Sequence, residues 1–205
     1  MRPATWLGGG LCAASFALTA ALYARLPDAV PTHLGIDGAD GFVAKPVGPF
    51  VVPLLGLLAY AITARVLARM GRARDVVPVA MAAFFLVIVV VMLRAALGDA
   101  PDGSRTIAAA GGVLLAVVGN YFGTLRRNHW VGIRTPWTLA DDEVWRRTHR
   151  LAGWLLVAGG PLTCVAALAG APFAIAFAPI ACAALASTVY SYVIYRRVRA
   201  TGALS

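Results

Sequence analysis

Six long apolar stretches divide the chain, and each is close to the length that a helix needs to cross a lipid bilayer. A hydrocarbon core about 30 Å thick takes about 20 residues of helix, and a helix pairs its backbone polar groups within one segment there. The third stretch is the clearest, because no charged residue lies between Val76 and Leu93. We therefore predict six transmembrane helices and an all-α fold. The stretches lie at about residues 5–24, 47–66, 76–97, 106–125, 151–169 and 172–195.

The composition indicates that lipid covers most of the surface. Hydrophobic residues make up 60% of the 205 residues and charged residues 13%, whereas a soluble domain is about one quarter charged. A soluble globule of this size could not hide so many apolar side chains, because its ratio of surface to volume is high. We expect a single membrane domain over residues 1–205 and a multi-pass location in a bacterial cytoplasmic membrane.

The basic residues predict the orientation of the six helices. If the amino terminus is inside, the inner segments hold 14 of the Lys and Arg residues and the outer segments hold 4. Cytoplasmic loops of membrane proteins carry such an excess, so we predict that both termini lie in the cytoplasm. The basic residues lie in short tracts beside apolar stretches, which suits anionic headgroups and argues against nucleic acid as a partner of this chain, whose net charge is +9.

The outer loop, residues 25–46, is rich in turn-forming residues. Pro27 and Pro31 favour extended backbone, while the glycines permit tight turns. His33, with the acids of the loop, could bind a cation, but a solvated, turn-rich hairpin is the favoured interpretation. The candidate ligand-facing residues of this loop are Pro31, His33, Asp37, Asp40 and Lys45.

The inner loop, residues 126–150, is dense in Arg, Trp and His. Thr138 lies three residues before Asp141, a pattern typical of a helix N-cap, and the following acids favour the first turn of a helix. The acid-before-base pairs Asp142–Arg146 and Glu143–Arg147 would support it. We predict a short cytoplasmic amphipathic helix over 139–150, between the fourth and fifth spans, with Trp145 facing the membrane or the bundle. Anchoring in headgroups and specific binding both remain open for this loop.

Motifs of common enzyme classes are missing from the chain. We find no GxSxG, HExxH or P-loop sequence, and no ionisable residue near the centre of a span, where such residues mark ion pathways. We therefore expect no catalytic residues, no metal and no cofactor. One alternative is a transporter or lipid-handling protein with a neutral polar cavity; another is a membrane enzyme in which His149 approaches Asp141 or His129. The cavity of the first alternative would be lined by Tyr60, Thr63, Asn120, Ser187, Tyr190 or Ser191.

Two segments carry a resemblance to a known family. The string GNYFGTLRRNHWVGIRTPWTLADDEVWRRTHRLAGW, residues 119–154, resembles the signature of the SdpI family. The string LPDAVPTHLGIDGADGFVAK, residues 26–45, is similar to the small domain of unknown function common in the amino-terminal half of that family. The resemblance implies an amino-terminal two-span region at 1–70 and a signature region at 106–170.

The resemblance also implies a function. Such a protein protects its producer from a secreted, membrane-active peptide toxin met at the outer face, and it signals when the toxin-occupied protein holds a transcriptional repressor at the inner face. We further expect Arg134 to fold back onto carbonyls or onto one of the acids at 141–143. The residues that match the family pattern inside, and that form the candidate inner partner or structural site, are Asn120, Arg134, Pro136, Trp137, Trp145, His149 and Arg150.

Overall fold

Six long helices account for the six apolar stretches. The computed structural model describes residues 3–35, 38–99, 102–200 and 202, and within them six helices are long and apolar enough to cross a membrane. The prediction of a polytopic, mainly helical membrane protein is confirmed. The six helices are α1 (Pro3–Leu22), α2 (Gly48–Val66), α3 (Ala73–Ala96), α4 (Gly103–Phe122), α6 (Asp142–Leu168) and α7 (Phe173–Ala200), and a shorter helix, α5 (Pro136–Ala140), lies between α4 and α6.

The helix bounds between α4 and α6 differ from the prediction. Residues 142–150 are the first turns of α6 and continue without a break into the fifth span, so they do not form a separate amphipathic helix. Asp141 is extended, and its Oδ1 accepts a hydrogen bond from the Val144 N–H at 2.8 Å, which makes Asp141 the N-cap of α6. Thr138 is not a cap: Thr135 caps α5, and Pro136 occupies the first helical position, where a missing N–H costs nothing.

The outer loop forms a two-stranded antiparallel hairpin. Strand β1 (Ala29–Gly35) pairs with strand β2 (Gly38–Ala44), and the register shifts on both sides of His33. Val30 points away from solvent and packs in an apolar cluster with Leu26 and with residues of α2 and α3, among them Val52 and Val89. The predicted turn-rich hairpin is therefore a β-hairpin whose one side is fixed to the ends of α2 and α3, and its two strands are an addition to the predicted all-α fold.

The helices pack as two groups of three. Helix α1 contacts α2 and α3, while α4 contacts α6 and α6 contacts α7; the pairing of α3 with α4 joins the groups. The closest approach is between α4 and α6. A Cβ added at Gly119 would lie 2.6 Å from the Leu156 Cβ, and one added at Gly112 would lie 2.6 Å from the Gly160 carbonyl oxygen. Small residues allow backbones to approach closely inside a membrane.

Candidate functional site

The imidazole of His149 lies at the centre of a buried cluster at the predicted inner face. Its ring is fully buried and stacks on Trp145, with ring centroids 3.9 Å apart, and on Phe122 at 5.2 Å. Nδ1 lies 2.9 Å from the Trp145 carbonyl oxygen, and Nε2 lies 2.9 Å from the Ile133 backbone nitrogen. Because a carbonyl only accepts and an N–H only donates, Nδ1 carries the proton and Nε2 is the acceptor. The histidine is therefore neutral and has no ring nitrogen left for another partner.

Residues 124–141, which we call the inner segment, pass directly over this imidazole. Gly132 has a φ of +115°, and a Cβ at that position would collide with Nε2 of His149. A positive φ of this kind favours glycine. The Ile133 N–H then reaches Nε2 immediately after the glycine. The sequence Gly132–Ile133 thus lets the inner segment approach the ring closely enough to donate to it.

Trp145 joins the inner segment to both groups of helices. Its side chain is 2% exposed, and its indole N–H donates to the Leu125 carbonyl at 2.7 Å. It packs in a cluster with Leu67 and Val77, which belong to the amino-terminal half. Trp145 therefore faces the bundle, as expected.

A second contact holds the inner segment to α7. The indole N–H of Trp137 donates to Ser191 Oγ at 2.6 Å, and its ring meets the edge of Tyr192. Thr138 is fully buried, and its hydroxyl donates to the Ile133 carbonyl at 2.7 Å. These contacts fix α5 against the end of α7. Sequence reasoning missed Gly132 and gave Thr138 and Ser191 other roles, an N-cap and the lining of a polar cavity, although Thr135 before Pro136 is a recognisable helix start.

The other candidate residues of the inner face do not join this cluster. Arg134 is exposed, and its Nη1 donates to the His129 carbonyl at 2.7 Å. The expected contact with a carbonyl exists, but the bond is local and not buried. The exposed set consists of Asn120, Arg134, Pro136 and Arg150.

The acids expected near Arg134 have other partners. Asp141 caps α6, Asp142 pairs with Arg127 at 2.8 Å, and Glu143 pairs with both Arg146 and Arg147. The predicted Glu143–Arg147 pair is present. The predicted Asp142–Arg146 pair is wrong, because Arg127 reaches Asp142 from the inner segment and Arg146 turns to Glu143.

At the predicted outer face, the hairpin presents an exposed pair of side chains. His33 Nδ1 lies 2.5 Å from Asp40 Oδ1, and the two side chains are 70% and 58% exposed. Pro31 is buried, so its ring cannot meet a ligand from solvent. Lys45 is half-buried, and its ammonium group donates to the Leu26 carbonyl at 2.6 Å. This bond connects the two ends of the hairpin. Asp37 lies outside the described residues.

The alternatives based on a polar cavity or a catalytic cluster gain no support from this geometry. The six residues expected for a polar pathway do not line one common cavity: a cavity of about 870 Å³ is lined by none of them, and two smaller cavities, of about 360 and 230 Å³, are lined by one each, Tyr60 and Thr63. Both ring nitrogens of His149 bond to backbone groups. No group of three metal-binding side chains occurs in the described part of the chain.

Two regions of the chain match known protein families. Residues 124–191, which contain the inner segment and its contacts with α6 and α7, match the SdpI/YfhL protein family. Residues 10–57, which contain the hairpin, match a domain of unknown function, DUF1648. The chain is 27% identical over 191 residues to the immunity protein SdpI of Bacillus subtilis (strain 168), covering 90% of this chain and 92% of that protein. No solved structure matches the chain. The buried cluster around His149 and the hairpin thus fall within the two matched regions, and this multi-pass protein of the bacterial inner membrane is similar to the SdpI family, with a match to the DUF1648 domain in its amino-terminal part.

Proposed function

We propose that this protein is an immunity protein that protects its producer from a membrane-active peptide toxin. The observation that carries the proposal is the similarity to the immunity protein SdpI, which extends over nearly the whole of both chains. Because the match includes both the hairpin and the inner segment, the similarity between the two proteins is not limited to one pair of helices. No catalytic step is part of this proposal.

The hairpin is the proposed element of toxin recognition. Its buried side rests on α2 and α3 through Val30, while His33 and Asp40 extend from it as an exposed pair. A rigid base with exposed polar side chains suits selective binding, because the backbone does not have to be ordered when the ligand arrives. The apolar part of the toxin would associate with the helices inside the membrane, where packing against small residues is favourable.

The exposed part of the inner segment is the proposed site for a transcriptional repressor. Asn128 Oδ1 accepts hydrogen bonds from the N–H groups of Trp130 and Val131, both at 2.8 Å. This turn presents Trp130 with 79% of its surface exposed, and Arg134 is exposed nearby in the chain. Exposed tryptophan and arginine are the residue types most enriched at the centres of protein interfaces.

The first experiment measures survival of a sensitive strain against dose of the peptide toxin encoded near the gene. Expression of the protein should raise tolerance, and His33→Ala and Asp40→Ala should lower the protection. An exposed pair contributes only about 0.2–1 kcal/mol to stability, so both variants should reach normal abundance in the membrane. Asp28→Ala is the matched control, since Asp28 is an exposed acid of the same loop outside the pair. Equal survival with and without the protein would refute the immunity function.

The second experiment separates signalling from protection. Trp130→Ala should reduce the amount of repressor that sediments with membranes after toxin treatment, and it should leave survival unchanged. Trp137→Ala is not a suitable variant for this purpose, because loss of its bond to Ser191 would alter the fold of the inner segment. Equal repressor in the membrane fraction for the wild type and Trp130→Ala would exclude this surface as the docking site.

A further inference from the structure

A long cavity lies between the two groups of helices, beneath the hairpin. Helices α3 and α4 line its length, α2 and α7 line its sides, and β1 contributes Thr32 and His33 at one end. The cavity has a volume of about 870 Å³. From Arg105 to Leu115 along α4 it extends through ten residues, which corresponds to about 15 Å of helix rise.

Below its mouth the cavity is lined by apolar side chains and small residues. Phe84 and Ile88 come from α3, Leu115 comes from α4, and Phe177 comes from α7. Gly111 forms an open part of the wall, because a Cβ added there would meet only the Phe84 and Phe177 rings, both at 3.8 Å. No hydrogen-bonding side chain is available to a ligand in this deeper part, so its occupant there must be apolar.

The mouth of the cavity holds one arginine, which is paired with Asp102. Arg105 lines it and uses Nη1 to donate to Asp102 Oδ1 at 3.1 Å, which leaves other donors of the five on a guanidinium group. Gly170 has a φ of +81°, and a Cβ there would lie 3.2 Å from the Arg105 guanidinium carbon, so this glycine leaves room for the arginine. The first residues of α4 and α7 also line the mouth, and the positive ends of both helix dipoles add to the charge of Arg105.

We propose that this cavity binds one anionic phospholipid, with the phosphate on Arg105 and an acyl chain along α3 and α4. The length of about 15 Å is half of a bilayer hydrocarbon core of about 30 Å, as one leaflet requires. An extended peptide in this apolar space would bury unpaired backbone groups, whereas the acyl chain of a lipid has none and the arginine at the mouth matches its phosphate. This site does not depend on the proposed immunity function.

The acyl-chain part of the site is tested by filling it. The purified, delipidated protein is titrated with phosphatidylglycerol, and native mass spectrometry counts the lipids bound. The wild type should bind one lipid, and Gly111→Leu should weaken this binding at least tenfold, because the new side chain extends between Phe84 and Phe177. Gly10→Leu is the matched control, since Gly10 also lies in a membrane helix but has no atom within 4 Å of an added Cβ. Equal binding by the wild type and Gly111→Leu would overturn the proposal.

The phosphate part is tested by comparing two headgroups. The wild type should prefer phosphatidylglycerol to phosphatidylcholine about tenfold, and Arg105→Gln should lose the preference while still binding a lipid. Arg94→Gln is the control, because Arg94 is also an outer arginine paired with an acid, Asp99, but does not line the cavity. All variants should elute and melt as the wild type does. Absence of a headgroup preference in the wild type would overturn the assignment to Arg105, and displacement of the lipid by the toxin peptide would assign the cavity to the toxin.

Discussion

Replacement of His149 by alanine tests whether this imidazole holds the inner segment on α6. The substitution removes the acceptor of the Ile133 N–H, which costs about 1–3 kcal/mol for a donor left unpaired. It also removes a fully buried ring that stacks on Trp145 at 3.9 Å, and deletion of a large buried side chain typically costs 2–5 kcal/mol. Solvent can reach the half-buried Ile133 and can partly replace the lost acceptor, so the two costs do not add in full. We therefore expect the segment to lose about 3 kcal/mol of stability.

Trypsin cleavage after Arg134 measures this loss directly. Arg134 itself is exposed, but the backbone N–H groups on either side of it are bonded to His149 and Thr138. Cleavage therefore requires the segment to open first. When opening is fast relative to cleavage, the rate follows the population of the open form. A loss of about 3 kcal/mol corresponds to a cleavage rate about a hundredfold higher, since 1.4 kcal/mol is a factor of ten.

The matched control for this experiment is His129→Ala, because His129 is an exposed histidine on the same segment. It should be cleaved at the rate of the wild type. If His149→Ala melts at a lower temperature but is cleaved after Arg134 at the wild-type rate, the ring contributes packing and does not hold the segment. If neither quantity changes, the whole role assigned to the imidazole is refuted.

Three further predictions concern packing, anchoring and orientation. Gly160→Leu should abolish accumulation of the folded protein, because a Cβ at Gly160 already collides with α4, whereas Gly9→Leu should accumulate normally in the membrane fraction. Trp137→Phe should lower the melting temperature through loss of a hydrogen bond contributing about 1 kcal/mol, and Trp130→Phe, at an exposed site, should leave it unchanged. A reporter inserted near Asp102 should signal the exterior and one at the carboxyl terminus the cytoplasm; the opposite pattern would refute the orientation predicted from the basic residues.

The expectation that failed most clearly concerns Arg134 and the acids that follow it. Both arginines and acids were visible in the sequence, but their pairing depends on which side chains the folded inner segment brings into reach. Asp142 pairs with Arg127, which is 15 residues earlier in the chain. Local i,i+4 spacing predicted the Glu143–Arg147 contact, since both residues lie on one helix. It could not predict a partner supplied by a loop.

The six spans and the resemblance to the SdpI family followed from the sequence alone. Hydropathy over about 20 residues is a local property, and a lipid bilayer stabilises such an apolar helix wherever it lies in the bundle. The hairpin ladder, the uninterrupted α6 and the cavity required the tertiary structure, because each depends on how separate elements pack. The same is true of His149: its sequence neighbourhood shows a histidine in an Arg-rich loop, yet its function in the fold comes from Ile133, 16 residues away. Buried polar groups must find partners wherever the chain brings them, and that choice is made only when the helices and the inner segment come together.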